Sequence, residues 1–509
     1  MIHNPITKKA GQTSLLRGGA TWNRTRDTRI FSPVLYLLSY GTSILSSGWQ
    51  NYIKNIFFQN IFSRKPCTAY PRNSPSERIV SVPSVHNLAD FVTLPAKGKR
   101  MEFVRHELKN GIRLVHVPLP SEVAYCGLLF NTGSRDEEDT EEGLAHFIEH
   151  AVFKGTRKRK AWHILSRLED VGGELNAYTT KEETFLYASF LKEDFERAAE
   201  LLADIAFAPV FPEKELEREK EVVLEEINSY LDSPGELIYD EFENMIFPEQ
   251  PLGRFILGRP DQVRKITREK VFRFYGRNYF TDEVVFCSAG NIPGRKVVQV
   301  FEKHFAPIPS HPRDRQRHTS ARYVRQEQRI RKHTYQSHCV VGSRGYSLTD
   351  PRRTGLYLLN NILGGQGMNS RLNITLREKR GLAYTVESSY TPYQDTGVFS
   401  IYFGTERNDL EKSLELVFKE IKKLRERRLG PLQLSRARKQ LAGQLTRSLE
   451  NPENLLATLG RNLLVYGKTY TTQEMMEAVY RITAEELLEI ANEILDPSVL
   501  SVLIYENEA

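Results

Sequence analysis

The stretch Gly143-Leu-Ala-His-Phe-Ile-Glu-His-Ala151 decides how this chain is read. It places two imidazoles and a carboxylate, His146, Glu149 and His150, within five residues. On an α-helix, offsets of three and four bring all three side chains to one face. Zinc takes two nitrogen ligands about one turn apart, and a carboxylate beside them can accept a proton from a bound water. The order His-x-x-Glu-His inverts the commoner His-Glu-x-x-His metal motif. Leu144, Phe147, Ile148 and Val152 supply the apolar stripe of a packed helix, and Asp139, three residues before Glu142, reads as a capping box. Charged groups within a packed helix are costly unless paired or metal-bound, which favours a metal site over a solvated face.

A third ligand is expected from a separate helix. Glu215 to Ile227 is a strong helix former with Leu216, Val223, Leu224 and Ile227 on one side. Glu219 and Glu226 sit seven residues apart on it, two turns along the same stripe, among carboxylates that mostly read as solvated surface. Between these helices, Leu175 to Thr180 and the alternating run Thr184-Phe-Leu-Tyr-Ala-Ser-Phe190 read as a hairpin.

Three stretches together resemble the pitrilysin/insulinase family of inverzincin peptidases, which includes insulin-degrading enzyme and the mitochondrial processing peptidase. They are Gly143 to Thr156, Leu175-Asn-Ala-Tyr-Thr179, and Glu217-Arg-Glu-Lys-Glu-Val-Val-Leu-Glu-Glu226. The resemblance runs from about residue 101 to the C-terminus. It implies one zinc ion per chain on His146, His150 and Glu226, the last about 75 residues beyond the second His. It implies further that Glu149 is the general base, that Glu219 supports the ligands, and that Asn176 and Ala177 lie on an edge strand along which a substrate peptide adds as an extra strand.

The chain repeats itself internally. Gly133-Ser-Arg135 with Gly143-Leu144 recurs as Gly342-Ser-Arg344 with Gly355-Leu356, and Leu231-Asp-Ser-Pro234 recurs as Leu449-Glu-Asn-Pro452. Two α+β domains of about 200 residues each are expected, at 101–306 and 332–509, each a mostly antiparallel sheet with packed helices. The polar, Arg-rich segment 307–331 reads as a linker between them. In the second copy Leu358, Asn361, Ile362 and Gln444 stand where His146, Glu149, His150 and Glu226 stand in the first, so the metal site belongs to the first copy alone. The second copy instead carries Gly364-Gly-Gln-Gly-Met-Asn-Ser-Arg371, whose glycines read equally well as a helix cap, and then Arg377 and Tyr384. By resemblance these last two grip the substrate main chain, and the Tyr384 hydroxyl donates to the developing oxyanion. Small members of the family close two chains into a clamshell chamber. The resemblance therefore implies a homodimer acting on peptides or unfolded polypeptide segments.

Charge adds a caution about the first hundred residues. The net charge of +7 comes from residues 1–100, which hold 14 Lys+Arg against 3 Asp+Glu; the remainder holds 57 against 61. The mildly acidic remainder gives no reason to expect a nucleic-acid partner, and no apolar run is long enough to span a membrane. Residues 1–100 are basic and lack periodicity. A transit peptide or a failed signal peptide fits them less well than reverse-strand translation of a tRNA gene, with Trp22-Asn-Arg-Thr25 as the T-arm and Val34-Leu-Tyr-Leu-Leu-Ser-Tyr40 as the D-arm. The native start is therefore expected at Met101. Cys67, Cys126, Cys287 and Cys339 show no ligand spacing and read as free thiols in a reducing compartment, the bacterial cytoplasm or alternatively the mitochondrial matrix. The resemblance leaves two other readings, a presequence-processing subunit and a non-catalytic scaffold of the same fold; a scaffold would not need the metal ligands that this chain keeps.

Overall fold

The computed structural model describes residues 103–314, 317 and 322–508. The expectations for residues 1–100 and for a start at Met101 fall outside that range. Two sheets carry the α+β architecture. The first has the order β1-β2-β6-β3-β5-β4, built from β1 (Val104–Glu107), β2 (Arg113–Pro118), β3 (Val123–Phe130), β4 (Glu174–Thr179), β5 (Thr184–Leu191) and β6 (Val284–Gly290). The second has the order β7-β11-β8-β10-β9, from β7 (Glu327–Lys332), β8 (Ser337–Gly345), β9 (Ala383–Pro392), β10 (Gly397–Thr405) and β11 (Ser501–Asn507). Each sheet has one parallel pair, β2 with β6 and β7 with β11, and is otherwise antiparallel. β4 and β9 are the matching edge strands. The repeat is thus real in the fold, although Gly133–Arg135 lies just past β3 whereas Gly342–Arg344 lies inside β8.

The site lies on α1 (Leu144–Ala151) and α2 (Glu213–Leu231); α3 (Pro234–Ile246) follows in the first copy, and α4 (Arg353–Gly364), α5 (Pro431–Leu449) and α6 (Pro452–Tyr466) belong to the second. β3 alternates its side chains: Ala124, Cys126, Leu128 and Phe130 enter the core shared with α1 and α2, while Leu129 faces the other way. That other face is covered from the second copy, by Leu455, Leu456, Leu459 and Leu463 of α6 packed with Val115, Leu129, Phe185, Val285 and Cys287. Each leucine buried there contributes about 1.5–3 kcal/mol. Gly460 is required by this approach, since a Cβ would stand 2.9 Å from Cys287 Sγ and 2.8 Å from Leu129 Cδ2. Reciprocally α3, from the first copy, lays Ile238, Phe242, Met245 and Ile246 on Val340, Val398, Tyr402, Leu503 and Tyr505 of the second sheet.

The glycine-rich run after α4 ends that helix without the left-handed turn common in such caps. Gly365 is extended, at φ −61° and ψ 173°. Gly364 is needed instead for closeness, because a Cβ there would lie 2.7 Å from the backbone nitrogen of Ser388 on β9.

Candidate metal and active site

α1 is only eight residues long and buried on every side, so its placement depends on its ends. It does not begin with the expected capping box. Gly143 is the N-cap, with φ 86° in the left-handed region, and Asp139 is exposed and paired to Arg254. The cap comes from further back: Glu137 accepts hydrogen bonds from the amides of Gly143 (3.1 Å) and Ala145 (2.8 Å). These carboxyl oxygens satisfy orphan donors at the helix start, although burial pushes Glu137 well above its ordinary pKa against the pull of those two amides. Chain reversal at Gly143 brings it against Leu257 and Gly258, where any side chain would collide.

The structure brings His146, His150 and Glu226 together from α1 and α2. Glu226 Oε2 lies 3.8 Å from His146 Nε2 and 3.7 Å from His150 Nε2, and one ligand atom from each residue falls within 4.8 Å of the others. A tetrahedral zinc with bonds of about 2.0–2.1 Å separates its ligands by about 3.3 Å. The two imidazole–carboxylate distances exceed that spacing by only about 0.5 Å, and the chemistry of the set, two imidazoles and a carboxylate, suits zinc. His146 Nδ1 is buried without a hydrogen-bond partner among the described residues.

The electrostatics follow from burial and close carboxylates. Burial, helped by His150, holds His146 well below its ordinary pKa, so it stays neutral. Burial also opposes charge on His150, but its bond to Glu219 and the nearby Glu226 and Glu149 prevail and raise it. Glu219 itself is lowered in spite of burial, because His150 and Lys154 stabilise its charge. Burial raises Glu226, with His150 pulling the other way. Glu149, adjoining these groups on α1, is pushed by burial up to about 7, partly offset by His150 and Thr179. The Thr179 hydroxyl lies near enough to ease the Glu149 charge without completing a well-aligned hydrogen bond.

Asn176 and Ala177 sit on edge strand β4, beside α1, with Ala177 buried and Asn176 half-buried. Tyr384 occupies the matching edge, β9, and is 63% exposed. The Arg377 guanidinium stands 5.1 Å from the Tyr384 ring centroid and 3.7 Å from a Glu378 carboxylate oxygen. No hydrogen bond or ion pair among the described residues joins either of this pair to the metal cluster. Leu358 and Asn361 are buried in α4, and among the described residues the only such metal-capable cluster is His146, His150 and Glu226. Sequence reasoning missed Glu137, Lys154 and Thr179. Lys154, four residues past His150, carried a helical-spacing signal; Glu137 carried none.

Residues 115–259 match the family model described as Insulinase (Peptidase family M16), and residues 265–441 match the Peptidase M16 inactive domain. An uncharacterized zinc protease of Rickettsia bellii is 34% identical over 403 residues, covering 79% of this chain and 97% of that protein. The mitochondrial-processing peptidase subunit beta of Saccharomyces cerevisiae is 30% identical over 402 residues, 76% of this chain and 87% of its own length. Among solved structures, a protease from Helicobacter pylori superposes with a TM-score of 0.73 at 22% identity, over 80% of this chain and 99% of that one.

Proposed function

The chain belongs to the insulinase (M16) family of peptidases, and on that premise we propose that it is a zinc-dependent endopeptidase of peptides and unfolded segments that works as a homodimeric chamber. The observation that carries the reading is the convergence of His146, His150 and Glu226 with Glu149 alongside. His146, His150 and Glu226 hold the ion, and bound zinc supplies Lewis-acid activation of water and of the scissile carbonyl. Glu149 takes a proton from the attacking water and returns it to the leaving amine. Glu219 orients the His150 ring through Nδ1. β4 receives the substrate main chain as an added strand, and Tyr384, with Arg377 against its ring, donates to the developing oxyanion.

A scaffold role is disfavoured because all three ligands, the base and the supporting Glu219 are present and assembled. Cys126, Cys287 and Cys339 are buried and free, which supports a reducing compartment, with the bacterial cytoplasm ahead of the mitochondrial matrix. No helix among the described residues is long and apolar enough to cross a membrane. The test is digestion of a mixed peptide library by the purified protein, with chelator and with zinc restored. Internal cleavages that vanish and return support the reading; chelator-insensitive cleavage, or none with zinc present, overturns it.

A further inference from the structure

The hairpin turn between β4 and β5 carries Lys181, Glu182 and Glu183, three charges that a surface turn would give to solvent. They are 0%, 6% and 8% exposed. Each is buried against a different part of the chain. Lys181 Nζ reaches Asp240 (3.5 Å) and Glu243 (3.4 Å) on α3 and bonds the Arg254 carbonyl. Glu182 accepts from Arg135 (2.5 Å) and from the Gln394 amide (2.9 Å) in the β9–β10 turn of the second copy. Its carbonyl accepts from Arg317 (2.9 Å), in the segment joining the two copies, and Arg135 also holds Asp395 (2.6 and 2.8 Å). Glu183 takes a two-pronged bond from Arg461 on α6, both contacts at 2.6 Å.

Burying so many charges is costly unless every one is met, and removal of one partner strands the other. The network therefore has few alternative arrangements. It fastens the tip of the hairpin whose first strand contains Asn176, Ala177 and Thr179. Among the described residues, edge strand β4 has a hydrogen-bonded neighbour on one side only, so its other edge is held in place from β5 and from this tip.

We propose that the Lys181–Glu183 turn is a positioning device: by anchoring in α3, α6 and the β9–β10 turn, it sets β4 relative to α1 and makes substrate alignment depend on the two copies staying docked. The role in alignment rests on the peptidase reading above; the anchoring of β4 does not. Lys181, Glu182, Glu183 and Arg461 are thus positioning residues, acting through β4.

The test uses the full chain with Arg461→Ala, Arg461→Lys and the milder Glu183→Gln, following zinc content, peptide kinetics and amide hydrogen exchange. A small misplacement of aligned substrate costs about 10- to 100-fold, so Arg461→Ala should raise KM or lower kcat/KM by that order at unchanged zinc content. Exchange at the β4 amides should quicken while α1 keeps its protection, and Arg461→Lys should recover part of both effects. Zinc-loaded variants with wild-type kinetics and wild-type β4 exchange overturn the proposal. So does a uniform loss of protection throughout the chain, or failure of even Glu183→Gln to fold, since either marks a general stability role. A wild-type protein without peptidase activity would defeat the functional reading alone, leaving the exchange measurement to judge the anchor.

Discussion

His150 Nδ1 lies 2.9 Å from Glu219 Oε1, while the other oxygen of that carboxylate is 2.6 Å from Lys154 Nζ. The ring is thereby fixed from behind, and its Nε2 is the atom left to face Glu226. Glu219→Gln should retain the fold but weaken zinc binding about 10- to 100-fold, as loss of such an orienting partner generally does. Competition titration against a zinc chelator measures this; an unchanged affinity would show that the contact is incidental.

Ligand and base should separate cleanly by mutation. Glu149→Gln should keep zinc while losing turnover, because the ligands remain and the proton acceptor is gone. Glu226→Gln should lose metal, since an amide is a poorer ligand. Metal analysis of the purified variants beside peptide hydrolysis decides it, and full activity in Glu149→Gln would end the proposed mechanism.

Zinc affinity should rise with pH. Metal ligands must be deprotonated to bind. His146, lowered by burial, offers no proton to displace, but His150 is raised by Glu219 and neighbouring carboxylates and so holds its proton to higher pH than an ordinary histidine. Affinity is therefore weakest below the ordinary histidine value and continues to improve until His150 has titrated. Calorimetry near neutral pH in buffers of differing ionisation heat should register proton release, reduced in Glu219→Gln. Binding that is independent of pH, without proton release, would contradict this account.

Gly143→Ala should destabilise the protein by more than the ~1–2 kcal/mol of a left-handed alanine. The added Cβ would also meet the Leu257 carbonyl oxygen at 2.6 Å. Thermal melting should show the loss, with weaker zinc binding because α1 begins at this residue. Glu137→Ala, which strips two amides at the same helix start of their acceptor, should cost about 1–2 kcal/mol.

Assembly in trans is open to complementation. If one chain's metal site is completed by its partner's second copy, Glu149→Gln and Tyr384→Phe should rescue each other when mixed. Random exchange makes half the dimers mixed, each with one intact site, so about a quarter of wild-type activity returns. Loss of an oxyanion donor costs about 2.7–4 kcal/mol, so recovery stands well above background. Activity equal only to the average of the two mutants would place the pair in cis.

The metal triad was legible because helical spacing forces His146 and His150 onto one face, and a second carboxylate-bearing helix had to supply the rest. Assignment of Glu226 rather than another carboxylate of α2 needed the family resemblance. The start of α1 departs from the local spacing that points to Asp139, because the operative carboxyl group, Glu137, acts across six and eight residues around a left-handed glycine. The buried turn was illegible for a related reason. Lys181, Glu182 and Glu183 look like solvated charges until Arg135 and Arg461, 47 and 278 residues away, are brought to them.

The exchange of α3 and α6 between the two sheets bears on how such a chain arises. A gene encoding one copy alone would make a protein with a bare apolar sheet face and an arm-like helix that has nothing of its own to cover. A second molecule of the same kind resolves both defects at once, each lending its arm to the other. The present chain has the geometry of a domain-swapped dimer held within one chain, each half lending a helix to the sheet of the other.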